Sequence, residues 1–396
     1  MTSVVLYDDA VARRFEPFSL TRPCGDLRAG ALLIRERWAH TLGRPVLAHL
    51  AAAHLSDFTE FDAPPCLASG SIAVGTVICN ARFVPVLHTA HDAGAWQCDG
   101  RVVAVQLAHA VPVARFADGS VTLEQLMNAG QVAAEMPGWW LHHPWDLIRH
   151  LGDMLRSDVQ ALAPGVTRGA YAGLTVIGTH EVVLELGASV EPQVVFDTSA
   201  GPILVRSGAT IAAFTRLVGP CVIGRDSQVL GGKVANVSIG EQCRVHGEIS
   251  TSILIGHANK GHDGFVGHSI LGRWTNLGAS TVTSNLKNTY GNVRLWTPAG
   301  EQDTGLQFLG TLLGDHAKTA IGTRLMTGTV IGAGASVVSA GPPPRVVAPF
   351  AWGDGTYRLD KFLEVASRVM ARRQVSLGGG ERAHLTRVHG ARWSAP

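Results

Sequence analysis

The sequence predicts an α/β domain, then a left-handed parallel β-helix built from hexapeptide repeats, then a C-terminal helix. Three observations carry this. Short apolar runs alternate with helix-like spacing over the first 160 residues. From about residue 170 an aliphatic side chain recurs every six positions, a period that fits neither a helix nor a flat strand. Residues 358–373 then place apolar side chains on one helical face. The expected domains are 1–160, 170–345 and 346–396.

In the front domain, VVLY at 4–7 reads as a buried strand that ends on Asp8-Asp9. ALLIRERWAHTLG at 31–43 has helical spacing and stops at Gly43, a C-cap residue. Strand-like runs follow at 71–79, 80–87 and 101–107, and helical segments at 121–134 and 145–160. Ligands of such sheets sit beyond the carboxyl ends of the strands, which places Asp8, Asp9, Arg22 and Asn80 near a crevice.

In the second domain the beat runs Val205, Ile211, Leu217, Ile223, Val229, then Ile239 and Val245. It continues at Phe265, Leu271 and Leu277, and at Leu313, Leu325, Ile331 and Val337. Glycine follows the aliphatic residue at several of these positions, as at Gly224, Gly240 and Gly272. Three hexads make one triangular coil, with the aliphatic side chain inside the prism, and coils bury that face only against one another. The beat breaks at 251–264 and 285–308, which are expected to be loops leaving the prism. After GPPPR at 341–345 comes the amphipathic helix, and the tail from Ser376 is expected to be mobile.

The chain has 396 residues, 46% hydrophobic and 16% charged, with net charge +2. That balance gives no drive toward nucleic acid or an anionic membrane, and no run approaches a membrane span. With no secretory signal and six cysteines lacking CxxC spacing, the expectation is a cytoplasmic protein with free thiols. Of 33 basic residues only five are lysines, and four of these (Lys233, Lys260, Lys287, Lys318) fall between 233 and 318. In a chain that otherwise uses arginine, they mark places where a compact ammonium meets a phosphate or sugar oxygen.

The stretch KGHDGFVGHSILGRWTNLGASTVTSNLKN, 260–288, concentrates chemistry. His262 sits among small residues, and a loop histidine can take the proton of an attacking amine or hydroxyl. Lys233, Lys260 and Lys287, with Arg244, supply positive charge for a phosphorylated acceptor. Asn276 and Asn285 can hydrogen-bond a sugar or an acyl group.

His262 followed by NLGASTVTSN resembles the acetyltransferase half of bacterial bifunctional UDP-N-acetylglucosamine pyrophosphorylase/glucosamine-1-phosphate N-acetyltransferases. A divergent branch of that family is closer still, through GPCVIG, GGK and GE-x3-SI upstream and LTRPCGDLRAG at 20–30. The resemblance implies a nucleotidyltransferase-like front domain and a homotrimer with acetyl-CoA along the groove between prisms. It implies His262 as general base, Asn285 as its support or the acetyl contact, Asn276 on the sugar, and Ala279 and Ala333 on acetyl-CoA. Phe265 stands where the family has tyrosine. The usual glycine-rich triphosphate loop is absent, so Arg22, Arg28 and Asn80 become the nucleotide contacts, and Asp8, Asp9 or Asp26 the Mg²⁺ ligands, of a uridylyl transfer making UDP-N-acetylglucosamine. Equally, the front domain can be inactive, with the acceptor another amino sugar or sugar nucleotide. Two other functions fit the same fold. One is a zinc hydratase of γ-carbonic-anhydrase type, using His257 and His262; the other is a non-catalytic β-helix that only oligomerises the chain.

Overall fold

The computed structural model describes residues 3–90, 93–171, 173–338 and 341–395. They form two compact units, one from residues 1–146 with 378–391, the other from 147–377 with 392–396.

The front unit is built on a six-stranded mixed sheet: β1 (Val4–Tyr7), β2 (Val46–Leu50), β3 (Val77–Asn80), β4 (Ala95–Cys98), β5 (Arg101–Gln106) and β6 (Ala134–Glu135), in the order β6-β4-β5-β3-β1-β2. β1 lies parallel to both β2 and β3, and β5 returns antiparallel between β3 and β4. All four residues of β1 and of β3 are buried, as expected of central strands covered on both faces. The helix Ile34–Leu42 ends at Gly43, whose φ of 61° is the left-handed cap that glycine adopts freely. The helix expected at 121–134 is reduced to one turn, Leu123–Leu126. Val121, Leu123 and Leu126 all enter the core, so tertiary burial rather than helical period decides that segment. The tail expected to be mobile forms the helix Gly379–Gly390 instead. It docks through His384, whose Nε2 lies 2.8 Å from the Thr21 carbonyl, and through Arg387, 2.6 Å from Asp57.

The second unit is a left-handed parallel β-helix. One inward column runs Leu184, Val205, Ile223, Ile239, Leu254, Leu271, Leu313 and Ile331, each in register with the next and each buried. Coils touch closely at the corners. A Cβ on Gly240 would lie 2.1 Å from the Ile255 carbonyl oxygen, so only glycine fits there. The helix Leu151–Leu162 belongs to this unit, with Gly152 beside Asn236. At the far end the helix Leu359–Ala371 packs Phe362 against Phe350 and His316, with ring centroids 4.9 and 5.7 Å apart.

Two expectations about the coil are corrected. Residues 251–264 do not leave the prism: Ile253–Leu254 and Asn259–Lys260 are strands within it. Only the excursion after Asn285 departs, carrying the antiparallel hairpin Arg294–Thr297/Gly300–Asp303. Phe265 is not a core residue either; Val266 is, stacked in register on Ile249. The inward positions here run Leu254, Lys260, Val266, Leu271, Leu277 and Thr283, all buried. The beat is nearly unbroken, and a lysine and a threonine hid it. All six cysteines are buried free thiols, and no helix among the described residues is long and apolar enough to cross a membrane.

Candidate functional site

One edge of the prism carries His262. The chain turns there at Gly231–Gly232, at Gly247, at 261–264 and at 279–281. The corners are tied by N–H donation from Gly247 to the Gly231 carbonyl (3.2 Å) and from Ser280 to the Asp263 carbonyl (3.0 Å). Gly264 turns with φ 126°, and a Cβ on it would meet the Thr281 carbonyl oxygen at 2.1 Å. The loop is therefore pressed flat on the next coil, and His262 is exposed at its apex. Asp263, largely exposed, lies 3.3 Å from His246 Nδ1.

Lys260 is in register with Val245 and occupies a core position, 1% exposed. Its aliphatic stem fills the prism, and its ammonium emerges at the corner to donate to the carbonyls of His246 (2.8 Å) and His262. Lys260 thus braces the His262 loop. Burial pushes its amine down to about 8. An amine whose folded pKa lies below its unfolded value opposes folding while it is charged. That cost is full below pH 8 and is relieved as pH rises from 8 toward the unfolded value near 10.5. Wild-type stability minus that of Lys260→Met should therefore rise over this window, measured by urea unfolding at pH 7 and pH 10. A difference that stays flat would show that the ammonium carries no burial penalty.

The face beyond this corner presents Lys233, Glu248 and Phe265 outward in one register column. Asn285 lies across that face, its amide nitrogen 2.8 Å from Nδ1 of His268, which stacks on Phe308. Burial lowers His268 to about 4, so its ring is neutral. His268 drew no attention in the sequence; its pairing with Asn285 is purely spatial. From Gly264 to His268 the strand spans about 13 Å at roughly 3.3 Å per residue. Within one chain, His262 and Asn285 therefore stand at opposite edges of one face.

Other predicted residues lie elsewhere on the coil. Arg244, Asn259, Asn276 and Lys318 form an outward column on the preceding face, with the Asn259 amide donating to Asn276 Oδ1 at 2.8 Å. Lys287 Nζ donates to the Asn292 carbonyl at the base of the excursion (3.0 Å). Ala279 is partly exposed beside the His262 corner, whereas Ala333 is fully buried on another corner, its carbonyl accepting from Phe350 N–H. His257 shares that other corner, backbone-bonded to Glu241 and near Arg273. His257 and His262 thus sit on different edges, and no metal-binding cluster of three or more His, Cys, Asp or Glu occurs among the described residues.

In the front unit, Asp9 follows β1 and Asn80 ends β3, so their side chains meet beyond the strand ends. Asp9 accepts from Asn80 (3.0 Å), Arg82 (2.7 Å) and the N–H groups of Val11 and Ala12, with Arg101 at 3.5 Å. Burial alone would raise its pKa, but the Arg82 charge and these hydrogen bonds hold it low. Asp8 accepts from Cys24 N–H (3.0 Å), and burial pushes it up to about 6. A cleft of 180 Å³ opens here, lined by Asp9, Asn80, Arg101, Ser120, Thr122 and Glu124. Trp140 lies under both Arg82 and Arg101, 4.9 and 4.2 Å from its ring centre. The sequence reading missed these three residues, and only their meeting in space reveals them. Arg22 is 2% exposed and paired with Glu60 at 2.9 Å, and Arg28 donates to the Ala31 carbonyl. Asp9 is held by these donors, while Asp8 Oδ1 is buried with no hydrogen-bond partner, so of the two carboxylates Asp8 keeps an oxygen that could meet a cation.

Residues 4–167 match the family model described as sugar nucleotidyl transferase. The chain is similar to the bifunctional protein GlmU of Bartonella quintana (strain Toulouse), 29% identical over 48% of this chain and 37% of that protein. It is similar to the bifunctional protein GlmU of Methanococcus maripaludis, 28% identical over 53% of this chain and 46% of that one. A third similarity, 25% over 45% of this chain and 77% of the relative, is to the uncharacterized acetyltransferase YaiX of Escherichia coli O6:K15:H31. A divergent GlmU-like protein fits these matches. Against the GlmU proteins, the chain spans less than half of the relative's length. A nucleotidyltransferase-like front domain joined to a left-handed β-helix is common to the geometry and the likeness, and both support a transferase.

Proposed function

We propose that the chain transfers an acetyl group from acetyl-CoA to the amine of an amino-sugar phosphate, glucosamine-1-phosphate, at the His262 corner. The observation that carries this is an exposed histidine on a braced loop, beside the partly exposed Ala279. The amine attacks the thioester carbonyl carbon and a C–N bond forms. His262 takes the amine proton, the C–S bond breaks, and the thiolate leaves with that proton. Coil N–H groups steady the oxyanion. Lys233, outward on the adjoining face, meets the acceptor phosphate. Asn285, across that face from His262, completes a site only when a second prism turns it toward the first chain's histidine. The functional form is accordingly a homotrimer, whose closed symmetry pairs unlike edges three times. The test is acetyl transfer by purified protein, followed as free CoA thiol. No thiol release with any amino-sugar phosphate would reject the reading.

For the front unit a second reading is favoured by one observation: Arg22, Arg28 and Asp9 are engaged within the fold. It binds a nucleotide or only supports the assembly. Incubation with UTP, N-acetylglucosamine-1-phosphate and Mg²⁺ should then release no pyrophosphate. Release would restore uridylyl transfer and make the chain bifunctional, with UDP-N-acetylglucosamine as product.

A further inference from the structure

A second pocket lies on the face that carries Asn276, where the C-terminal end of the helix Leu359–Ala371 covers the coil. It encloses about 190 Å³, with Lys318 and Asn276 from the coil and Arg372 and Arg373 from the end of the helix in its lining. Trp274 contributes an apolar wall, and no carboxylate lines it. The Lys318 ammonium donates to the His316 carbonyl at 3.0 Å, and the Arg373 guanidinium to the Gln242 carbonyl at 3.5 Å, so both charges are held by neutral acceptors. Arg244 stands in the same outward column as Asn276 and Lys318.

Like charges gathered in a recess cost free energy, because each is desolvated and repels the others. The effect is visible on two of them. Burial lowers Lys318 to about 8. Arg373 is lowered by burial first, then by the charges of Arg244 and Arg372. An oxyanion removes both costs at once. The Asn276 side chain accepts from Asn259 through Oδ1, which leaves its amide N–H groups to donate to a further acceptor.

We propose that this pocket is a binding site for a phosphate or diphosphate group, gripped by Lys318, Arg373 and Arg372 with Asn276 as a neutral donor. It lies away from the His262 corner, on another edge of the prism. The volume admits the anionic group and a small part of what it esterifies, not a whole nucleotide. Three ligands share this chemistry: inorganic diphosphate, a sugar phosphate, and the phosphates of a coenzyme thioester. The inference does not depend on acetyl transfer, because binding is read without turnover.

The test is calorimetric titration of the full chain with pyrophosphate at fixed ionic strength. Wild type should bind one pyrophosphate per chain. Lys318→Met and Arg373→Gln should each weaken binding about tenfold or more, as loss of one charge-assisted contact does. Lys361→Met, on the outer surface of the same helix, should change nothing. Arg372→Gln, at an exposed position, keeps the test valid where a buried variant misfolds, and should weaken binding as well. Affinity equal in all variants, or heat reproduced by chloride at the same ionic strength, would overturn the site. Competition then identifies the source. Displacement by glucosamine-1-phosphate, displacement by CoA, or displacement by neither would each uphold the site and name its occupant as sugar phosphate, coenzyme or inorganic diphosphate.

Discussion

Replacing His262 with alanine should lower kcat for acetyl transfer roughly 10²–10⁴-fold, the usual contribution of a positioned general base. Acetyl-CoA should still bind, because His262 is exposed at a corner and supports no neighbour. The variant should also fold normally, since the loop's geometry rests on Gly264 and on the Lys260 brace. Stopped assays of CoA release, together with equilibrium binding of acetyl-CoA, separate the two effects. A variant with wild-type kcat would remove His262 from the chemistry. The non-catalytic module would then be the better account.

The largest effect on stability is expected from Leu271→Ala. Leu271 is fully buried and stacked between Leu254 of one coil and Leu313 of another. Truncating such a side chain costs about 2–5 kcal/mol, from lost transfer free energy and the residual cavity. The coil has no second layer to collapse into the gap, because each rung touches only its neighbours. Urea unfolding followed by circular dichroism gives the value. A loss under about 1 kcal/mol would mean that the prism relaxes around the cavity.

The fold was legible in the sequence because the six-residue beat is a direct image of the inward columns, and Val205, Ile223, Ile239 and Leu271 all lie where the beat puts them. It failed at Lys260 because a hydropathy pattern cannot show a stem buried while its charge surfaces. It failed at Phe265 because counting back from Leu271 meets an aromatic ring one position before the true core residue, Val266. The candidate site could be proposed from the sequence where its residues lie close along the chain, as in the run from Lys260 to Asn285. The Asn285–His268 pair and the Arg82–Trp140–Arg101 stack could not, because each is assembled by coil or sheet register that no local spacing records. Arg22 and Arg28 stood out as cations, and only burial shows what they hold.

The excursion after Asn285 leaves between two rungs whose stacking it does not disturb: Leu271 lies directly under Leu313, as neighbouring coils do elsewhere. The rungs therefore act as a frame with a removable panel. Lengthening its exposed turn costs little, about 0.6 kcal/mol for each doubling of length. The exposed turn of the hairpin and Lys287 can thus vary among relatives at little cost to the frame, whereas Val293 and Leu295 at its base are fully buried and the edge that carries His262 is locked by carbonyl contacts that forbid even a methyl group. Divergence in what the coil accepts should accumulate in the panel, and the reaction itself should stay with the frame.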